Sequence, residues 1–167
     1  LDPLRRWHVL DWYFSGILND VFTNSTLNLF SKGEFDFYLP AMANISYKNY
    51  DAINSLDFIG LNYYSRWHVK GQLNLAEPFT FELRPQDIQT DMPYAIYPEG
   101  FYKAVKTIAK LNVPIIITEN GIADNKDDRR SLFILSSFIK TIFSRRYLIA
   151  SAPIFARVSS KMKLSSS

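Results

Sequence analysis

Apolar positions along this chain follow two periods, and the change from one to the other marks its elements. From Trp7 to Val21, the residues Leu10, Phe14, Ile17, Leu18 and Val21 return every three or four positions, which predicts an amphipathic helix. Leu27 to Leu39 loses that period. With Lys32-Gly33-Glu34 as a turn and Pro40 as a breaker, a loop is expected there. Tyr50 to Leu56 is a short approach segment. The run Asp57-Phe58-Ile59-Gly60-Leu61-Asn62-Tyr63-Tyr64 then reads as a strand, and Gly60 in its middle signals the close approach of another element. Residues 65–97 are weakly periodic, contain Pro78, Pro85 and Pro93, and have room for a hairpin. Connections this long usually carry function. Tyr97-Pro98-Glu99-Gly100 opens a helix bearing Phe101, Val105, Ile108 and Leu111. The run Pro114-Ile115-Ile116-Ile117-Thr118-Glu119-Asn120-Gly121 is continuously apolar and ends in a turn, as a buried parallel strand should be. Leu132, Leu135, Phe138, Ile139 and Ile142 predict a last helix over Ser131 to Phe143.

Strand, long connection, helix, strand is the order of a βα unit in a parallel sheet or barrel. Candidate chemistry sits at the strand exits. Glu119 lies where barrel enzymes place catalytic groups. As a nucleophile it must stay ionised and be aimed, and donors on a neighbouring strand would do both. Asn62 and Tyr64 are two residues apart and so share a face. Tyr64 can donate its hydroxyl to Glu119, and Asn62 can bind a carboxylate or a sugar hydroxyl. The plainer alternative is a solvated carboxylate at a strand end beside a core tyrosine.

Composition narrows the classes. The 167 residues are enough for one domain; 47% are hydrophobic and 16% aromatic, which supports a folded core. The aromatic excess suits stacking on sugar faces, and it equally suits core filling. The net charge of +3 comes from the end of the chain. Residues 140–167 hold six basic residues and no acid, which leaves 13 basic against 16 acidic residues before them. The body is therefore mildly acidic, and no nucleic-acid surface is expected. There is no Cys and there are only two His, so neither thiolate chemistry nor a zinc site is expected. No apolar run approaches the roughly 20 residues of a membrane span. No signal peptide is visible and Cys is absent, which favours a cytoplasmic location, although a chain starting at Leu1 leaves room for a missing leader. Asn24-Ser25-Thr26 and Asn44-Ile45-Ser46 fit the glycosylation acceptor pattern, which also arises by chance.

Three motifs carry a resemblance. Asp57-Phe58-Ile59-Gly60-Leu61-Asn62-Tyr63-Tyr64-Ser65 resembles the sixth-strand motif of family 1 glycoside hydrolases, the β-glucosidase family. Asp91-Met92 followed by Ile96-Tyr97-Pro98-Glu99-Gly100 resembles the segment before that family's next helix. Ile116-Ile117-Thr118-Glu119-Asn120-Gly121 matches its nucleophile signature. The motifs stand in family order and spacing, and the likeness runs from about Trp7 to Phe143. It implies an α/β fold, part of a (β/α)₈ TIM barrel comprising roughly strands 6 and 7 with flanking helices. It also implies retaining hydrolysis of terminal β-D-glycosides without metal or cofactor. Glu119 would be the nucleophile, Tyr64 its hydrogen-bonding partner and Asn62 a substrate contact. Tyr63, Trp67 and the 65–97 connection would flank the aglycone.

The sequence also departs from the pattern. The family's acid/base Glu lies in a Thr-Phe/Leu-Asn-Glu-Pro motif that has no counterpart here. Ala76-Glu77-Pro78 is faintly similar but falls on the wrong side of the Asn-Tyr-Tyr motif. Neither the sugar-binding Gln and His-Trp pair nor the Trp-rich eighth strand is found. Residues 1–143 are expected to form the partial barrel and 144–167 a divergent, basic, Ser-rich tail that is poorly ordered from Ser151. A retaining glycosidase needs two carboxyls about 5–5.5 Å apart, and one candidate is present. The expectation is a fragment with little or no turnover and weak stability on its own. The alternative is a degenerate product that at most binds sugar weakly.

Overall fold

The computed structural model describes residues 1–40, 43–74, 76–143 and 149–150. In chain order, the elements are β1 (Asp2–Pro3), α1 (Val9–Asn19), α2 (Ser25–Lys32), β2 (Glu34–Leu39), β3 (Ala43–Lys48), β4 (Ile59–Tyr63), β5 (His68–Gly71), β6 (Phe79–Glu82), α3 (Glu99–Ile108), β7 (Ile115–Asn120), α4 (Arg130–Phe143) and β8 (Ile149–Ala150). The strands form three small sheets in the orders β1-β5-β6, β2-β3 and β4-β7-β8. The third sheet positions the site. In it β7 pairs in parallel with β4 on one side and β8 on the other.

Alternation along β4 and β7 explains where the core lies. Ile59, Leu61 and Tyr63 point one way, as do Ile115 and Ile117, and these pack under α3 and α4. The core is built from Tyr63, Phe101, Val105, Ile108, Ile115, Ile117, Ile122 and Phe133. On α3 the buried Phe101, Val105 and Ile108 recur at helical spacing, so one stripe faces the sheet. The opposite face of the sheet carries Gly60, Asn62, Tyr64, Thr118 and Glu119, all exposed. Gly60 fits its expected purpose, because a Cβ there would sit 3.3 Å from the Thr118 methyl across the strand pair.

A second cluster joins α1 to the β1-β5-β6 sheet through Phe14, Leu18 and Val69. At its edge Asp11, fully buried, accepts hydrogen bonds from the backbone N–H of Arg5 (2.8 Å) and of Gly71 (2.9 Å). It also accepts from the Arg5 guanidinium at 2.6 and 3.0 Å.

Two expectations are corrected. The first helix does not run unbroken from Trp7 to Val21. It spans Val9–Asn19, passes through a π-helical turn at Asp20–Asn24 and continues as α2 to Lys32. Residues 27–39 are accordingly not a loop, since Leu27 to Lys32 is helix and Glu34–Leu39 is strand. The turn between them stands as read: Gly33, at φ 74°, ends α2 in the left-handed conformation that favours glycine. Tertiary contacts explain the rest. Ser25 Oγ donates to the Asp36 and Asp20 carbonyls, and β2 gains its ladder only through antiparallel pairing with β3. The hairpin expected within 65–97 is present as β5 and β6, which pair antiparallel. Of the tail, residues 144–148 and 151–167 lie outside the described residues, whereas Ile149–Ala150 extends the third sheet beside β7.

Candidate active site

The strand pair β4–β7 brings the three candidate residues together, and an irregularity in its register decides how. Leu61 lies opposite Ile117 and Asn62 opposite Glu119, so Thr118 is an extra residue with no opposite number. Simple alternation would turn Thr118 and Glu119 to opposite faces of the sheet. A bulge re-aims the residues that follow it, and here both reach the open face. Thr118 Oγ1 donates to Asn62 Oδ1 at 2.5 Å, while the Tyr64 hydroxyl donates to Glu119 Oε2. That hydrogen bond raises the Tyr64 pKa above the ordinary phenol value, which keeps the proton on the tyrosine as donor. Tyr64 remains 46% exposed, so this is an open site on a sheet face.

The strand exits are braced from behind. Asn120 Nδ2 donates to the Tyr63 carbonyl at 3.0 Å, tying the end of β7 to the end of β4. The Ser65 hydroxyl donates to the Ala95 carbonyl at 2.6 Å and anchors the long connection to the strand it leaves. Arg66 lies over the Tyr97 ring at 4.0 Å.

Next to Tyr64 and Asn120 at the strand exits, the loops border an open cleft of about 830 Å³. It is lined by Tyr64 and Trp67, by Thr90, Met92 and Tyr94, and by the segment 120–123 that leaves β7. Trp67 meets Tyr94 edge-on with ring centroids 5.0 Å apart, and Phe81 at 5.5 Å. This rigid aromatic wall suits an apolar or ring-bearing group, because aromatic side chains give large contact area with few rotamers. Glu77, the rejected sequence candidate, is exposed in the loop between β5 and β6, part of a different sheet from Glu119. Among the described residues no group of three or more His, Asp and Glu could hold a metal ion. None of the described helices is long and apolar enough to cross a membrane.

Sequence reasoning missed the loop-bracing charges. Arg129 reaches Asp91 and Asp124 at 3.3 Å each, and the Gln89 carbonyl at 3.0 Å. Asp124 accepts from the backbone N–H groups of Arg129 and Arg130 at 2.8 and 3.1 Å. Those hydrogen bonds, led by the Arg129 backbone, hold the Asp124 carboxyl below its usual range. An Asp shortly before the start of an apolar-periodic helix was the available signal. Nothing in the sequence linked it to Asp91.

The profile of Glycosyl hydrolase family 1 matches residues 5–146. A β-galactosidase of Pyrococcus woesei is 33% identical over 97 residues, 48% of this chain and 19% of that protein. The chloroplastic β-glucosidase-like SFR2 of Oryza sativa subsp. japonica is 31% identical over 116 residues, 65% of this chain and 17% of that protein. Among solved structures, the β-glycosidase from Pyrococcus horikoshii superposes with a TM-score of 0.72 at 25% identity, covering 90% of this chain and 34% of that one. The family 1 β-glucosidase from Thermotoga maritima gives a TM-score of 0.65 at 21% identity, covering 90% and 39%, and speaks for the fold alone. The chain spans less than a fifth of these two curated relatives and about a third of the Pyrococcus horikoshii structure. These solved neighbours are TIM-barrel β-glycosidases, and the α/β fold of the chain follows theirs over the part it spans. With the family profile matching across most of its length, the chain belongs to glycosyl hydrolase family 1.

Proposed function

We propose that this chain carries the nucleophile half of a retaining β-glycosidase. In this reading β4 and β7 are the sixth and seventh strands of the family barrel, and residues 1–143 are its partial barrel. The substrate is a terminal β-D-glycoside. Glu119 attacks the anomeric carbon, the bond from that carbon to the leaving-group oxygen breaks, and a glycosyl ester forms on Glu119. Tyr64 aims the carboxylate by donating to Oε2, leaving Oε1 to attack. Asn62, whose Oδ1 is occupied by Thr118, would meet a sugar hydroxyl through Nδ2. The observation that carries the reading is the Tyr64–Glu119 hydrogen bond at the exits of two adjacent parallel strands.

The leaving oxygen ordinarily takes a proton from a second carboxyl, and the sequence contains no Asn-Glu-Pro motif to supply one. Loss of the general acid alone lowers the rate by roughly 10²–10⁴-fold for a poor leaving group. The chain alone is therefore expected to give little or no turnover of alkyl glycosides. A 2-deoxy-2-fluoro β-glycoside of 2,4-dinitrophenol removes the need for that acid, because the phenolate departs unprotonated. Incubation is expected to add one fluoroglycosyl mass, mapped by peptide mass spectrometry to Glu119 and absent in Glu119→Gln. A folded sample that acquires no adduct would sink the proposal.

A smaller effect is expected at Tyr64. Removing a hydrogen bond to a charged group costs about 1.5–3 kcal/mol, so Tyr64→Phe should slow labelling by roughly tenfold to a hundredfold. Labelling kinetics would check this; an unchanged rate would show that Tyr64 does not aim the carboxylate.

One observation favours a second reading. Glu119, Asn62 and Tyr64 lie on an exposed face, where water screens charge and competes for every hydrogen bond. A degenerate chain that only binds sugar weakly would give a saturable spectral shift with a plain glycoside and no covalent adduct.

A further inference from the structure

Backbone hydrogen bonds and a cluster of charges tie two loops together beside the cleft. The first loop is the turn over residues 89–95, closed by pairing of Gln89 with Ala95 and by the Thr90 N–H to the Tyr94 carbonyl at 2.9 Å. The second is the segment that leaves β7, beginning two residues after Glu119. The Asp91 N–H donates to the Ala123 carbonyl at 3.1 Å, and the Asn125 N–H donates to Asp91 Oδ2 at 2.5 Å. Arg129 spans both loops. Its Nη1 donates to the Gln89 carbonyl, its Nη2 reaches Asp91 and Asp124, and its Nε reaches Asp124 at 3.4 Å. The Asp124 side chain is fully buried, whereas Arg129 is 38% exposed and Asp91 36%. A buried carboxylate thus holds one end of the guanidinium, and the other end holds the turn.

Residues of both loops line the cleft: Thr90, Met92 and Tyr94 from one, Gly121, Ile122 and Ala123 from the other. Tyr94 in turn packs edge-on against Trp67. We propose that Arg129 is a positioning residue for this site: by clamping the 89–95 turn to the strand exit that carries Glu119, it sets the width of the cleft and the placement of the Trp67–Tyr94 wall. A planar fork with several donors can hold two carboxylates and a carbonyl at once, which a lysine ammonium on a flexible stem does poorly. The clamp deepens the glycosidase reading and rests on it for its catalytic consequence, but its mechanical content stands independently.

The experiment uses the full chain with Trp7→Phe and Trp12→Phe, which leaves Trp67 as the sole indole. Trp7 and Trp12 are exposed at 80% and 56%, so neither substitution empties a core. Acrylamide quenching and the emission maximum of Trp67 are measured at full native signal for Arg129→Ala, Arg129→Lys and Asp91→Asn. Looser loops should expose Trp67, so Arg129→Ala is expected to quench markedly faster and Arg129→Lys to recover part of the change. Asp91→Asn added to Arg129→Ala should then have little further effect, since the Arg129–Asp91 contact is already lost and the Asn side-chain oxygen can still accept from the Asn125 N–H. In the fluoroglycoside assay, Arg129→Ala should lower the second-order labelling constant by about tenfold, mostly through weaker binding, as misplacement of a positioning loop does.

A shift in the melting midpoint with unchanged Trp67 quenching would mean that Arg129 only stabilises the fold, and would overturn the proposal. So would additive effects of the Asp91 and Arg129 substitutions. If the glycosidase reading itself fails, the parent chain shows no labelling, and the quenching and additivity results still decide the clamp.

Discussion

Replacing Asp11 by Asn is expected to remove about 3–5 kcal/mol of stability, the loss usual when one partner of a buried ion pair is taken away. Asp11 is fully buried, and both of its oxygens accept hydrogen bonds, from the Arg5 backbone and guanidinium and from the Gly71 N–H, with His8 Nδ1 also 3.1 Å from Oδ1. An amide puts a donor against at least one of them and leaves the Arg5 charge without its partner. Burial opposes ionisation of Asp11, but the Arg5 guanidinium and the two backbone N–H groups outweigh it and hold the carboxyl at about 2. A folded pKa below the unfolded one means stability that is present above about pH 4 and lost as pH falls toward 2. The size of that term is about 2 kcal/mol, from a shift of nearly two units. Urea unfolding of parent and variant should therefore show a large gap at pH 7 that narrows between pH 4 and pH 2. A gap that stays constant over that window would mean the carboxylate is not held as described. The consequence is architectural, because Asp11 links the start of the chain and α1 to the end of β5, and the Trp67 wall sits at the start of β5.

Truncating Phe101 to Ala is expected to cost a further, independent 3–5 kcal/mol, the range for emptying a fully buried aromatic position. Phe101 has no exposed surface and lies between Tyr63 and Phe138, with ring centroids at 5.8 and 5.0 Å. The cavity would open directly under Tyr63, the strand residue between Asn62 and Tyr64. Tyr63 is itself fixed at both ends: its hydroxyl donates to the Tyr97 carbonyl at 2.5 Å, and its carbonyl accepts from Asn120. Loss of the ring beneath should therefore loosen the strand end that presents Tyr64 to Glu119, so the variant should label more slowly even where it remains folded. Phe101→Leu fills most of the space and should be much milder on both counts. Denaturant midpoints and fluoroglycoside labelling measure the two effects. An Ala variant within about 1 kcal/mol of the parent would show that the surrounding residues collapse into the gap.

These two positions lie apart: Phe101 is in the cluster under the β4–β7 sheet, whereas Asp11 is on α1 and hydrogen-bonds the end of β5. Their effects should add, as distant sites without shared partners do. A coupled response would mean that the two packed units fold as one.

Much of this protein was legible in the amino-acid sequence, and the reason differs element by element. Pro114 to Gly121 was readable as a strand because parallel strands covered on a face by helices need a continuous apolar run, and such runs are visible without knowing the neighbour. Tyr97 to Leu111 was readable because Phe101, Val105 and Ile108 repeat at helical spacing behind a Pro-Glu start. Glu119, Tyr64 and Asn62 were singled out as candidates from strand ends and period-two spacing, and the family was legible in three ordered motifs. By contrast, α2 and the β2–β3 hairpin depend on Ser25 finding the Asp36 carbonyl and on one strand supplying the other's ladder, neither of which local propensity encodes. The bulge at Thr118, which brings Thr118 and Glu119 to one face, depends on how β7 registers against β4. The carboxylate grips of Arg5 on Asp11 and of Arg129 on Asp91 and Asp124 join residues whose meeting depends on the path of the loops. The sequence by itself determined the local periods, the turn at Gly33 and which side chains stand as candidates for the site. Register, the aim of Glu119 and the closure of the cleft were decided by the tertiary structure, because hydrogen-bond ladders and buried ion pairs exist only between segments that packing has already brought together.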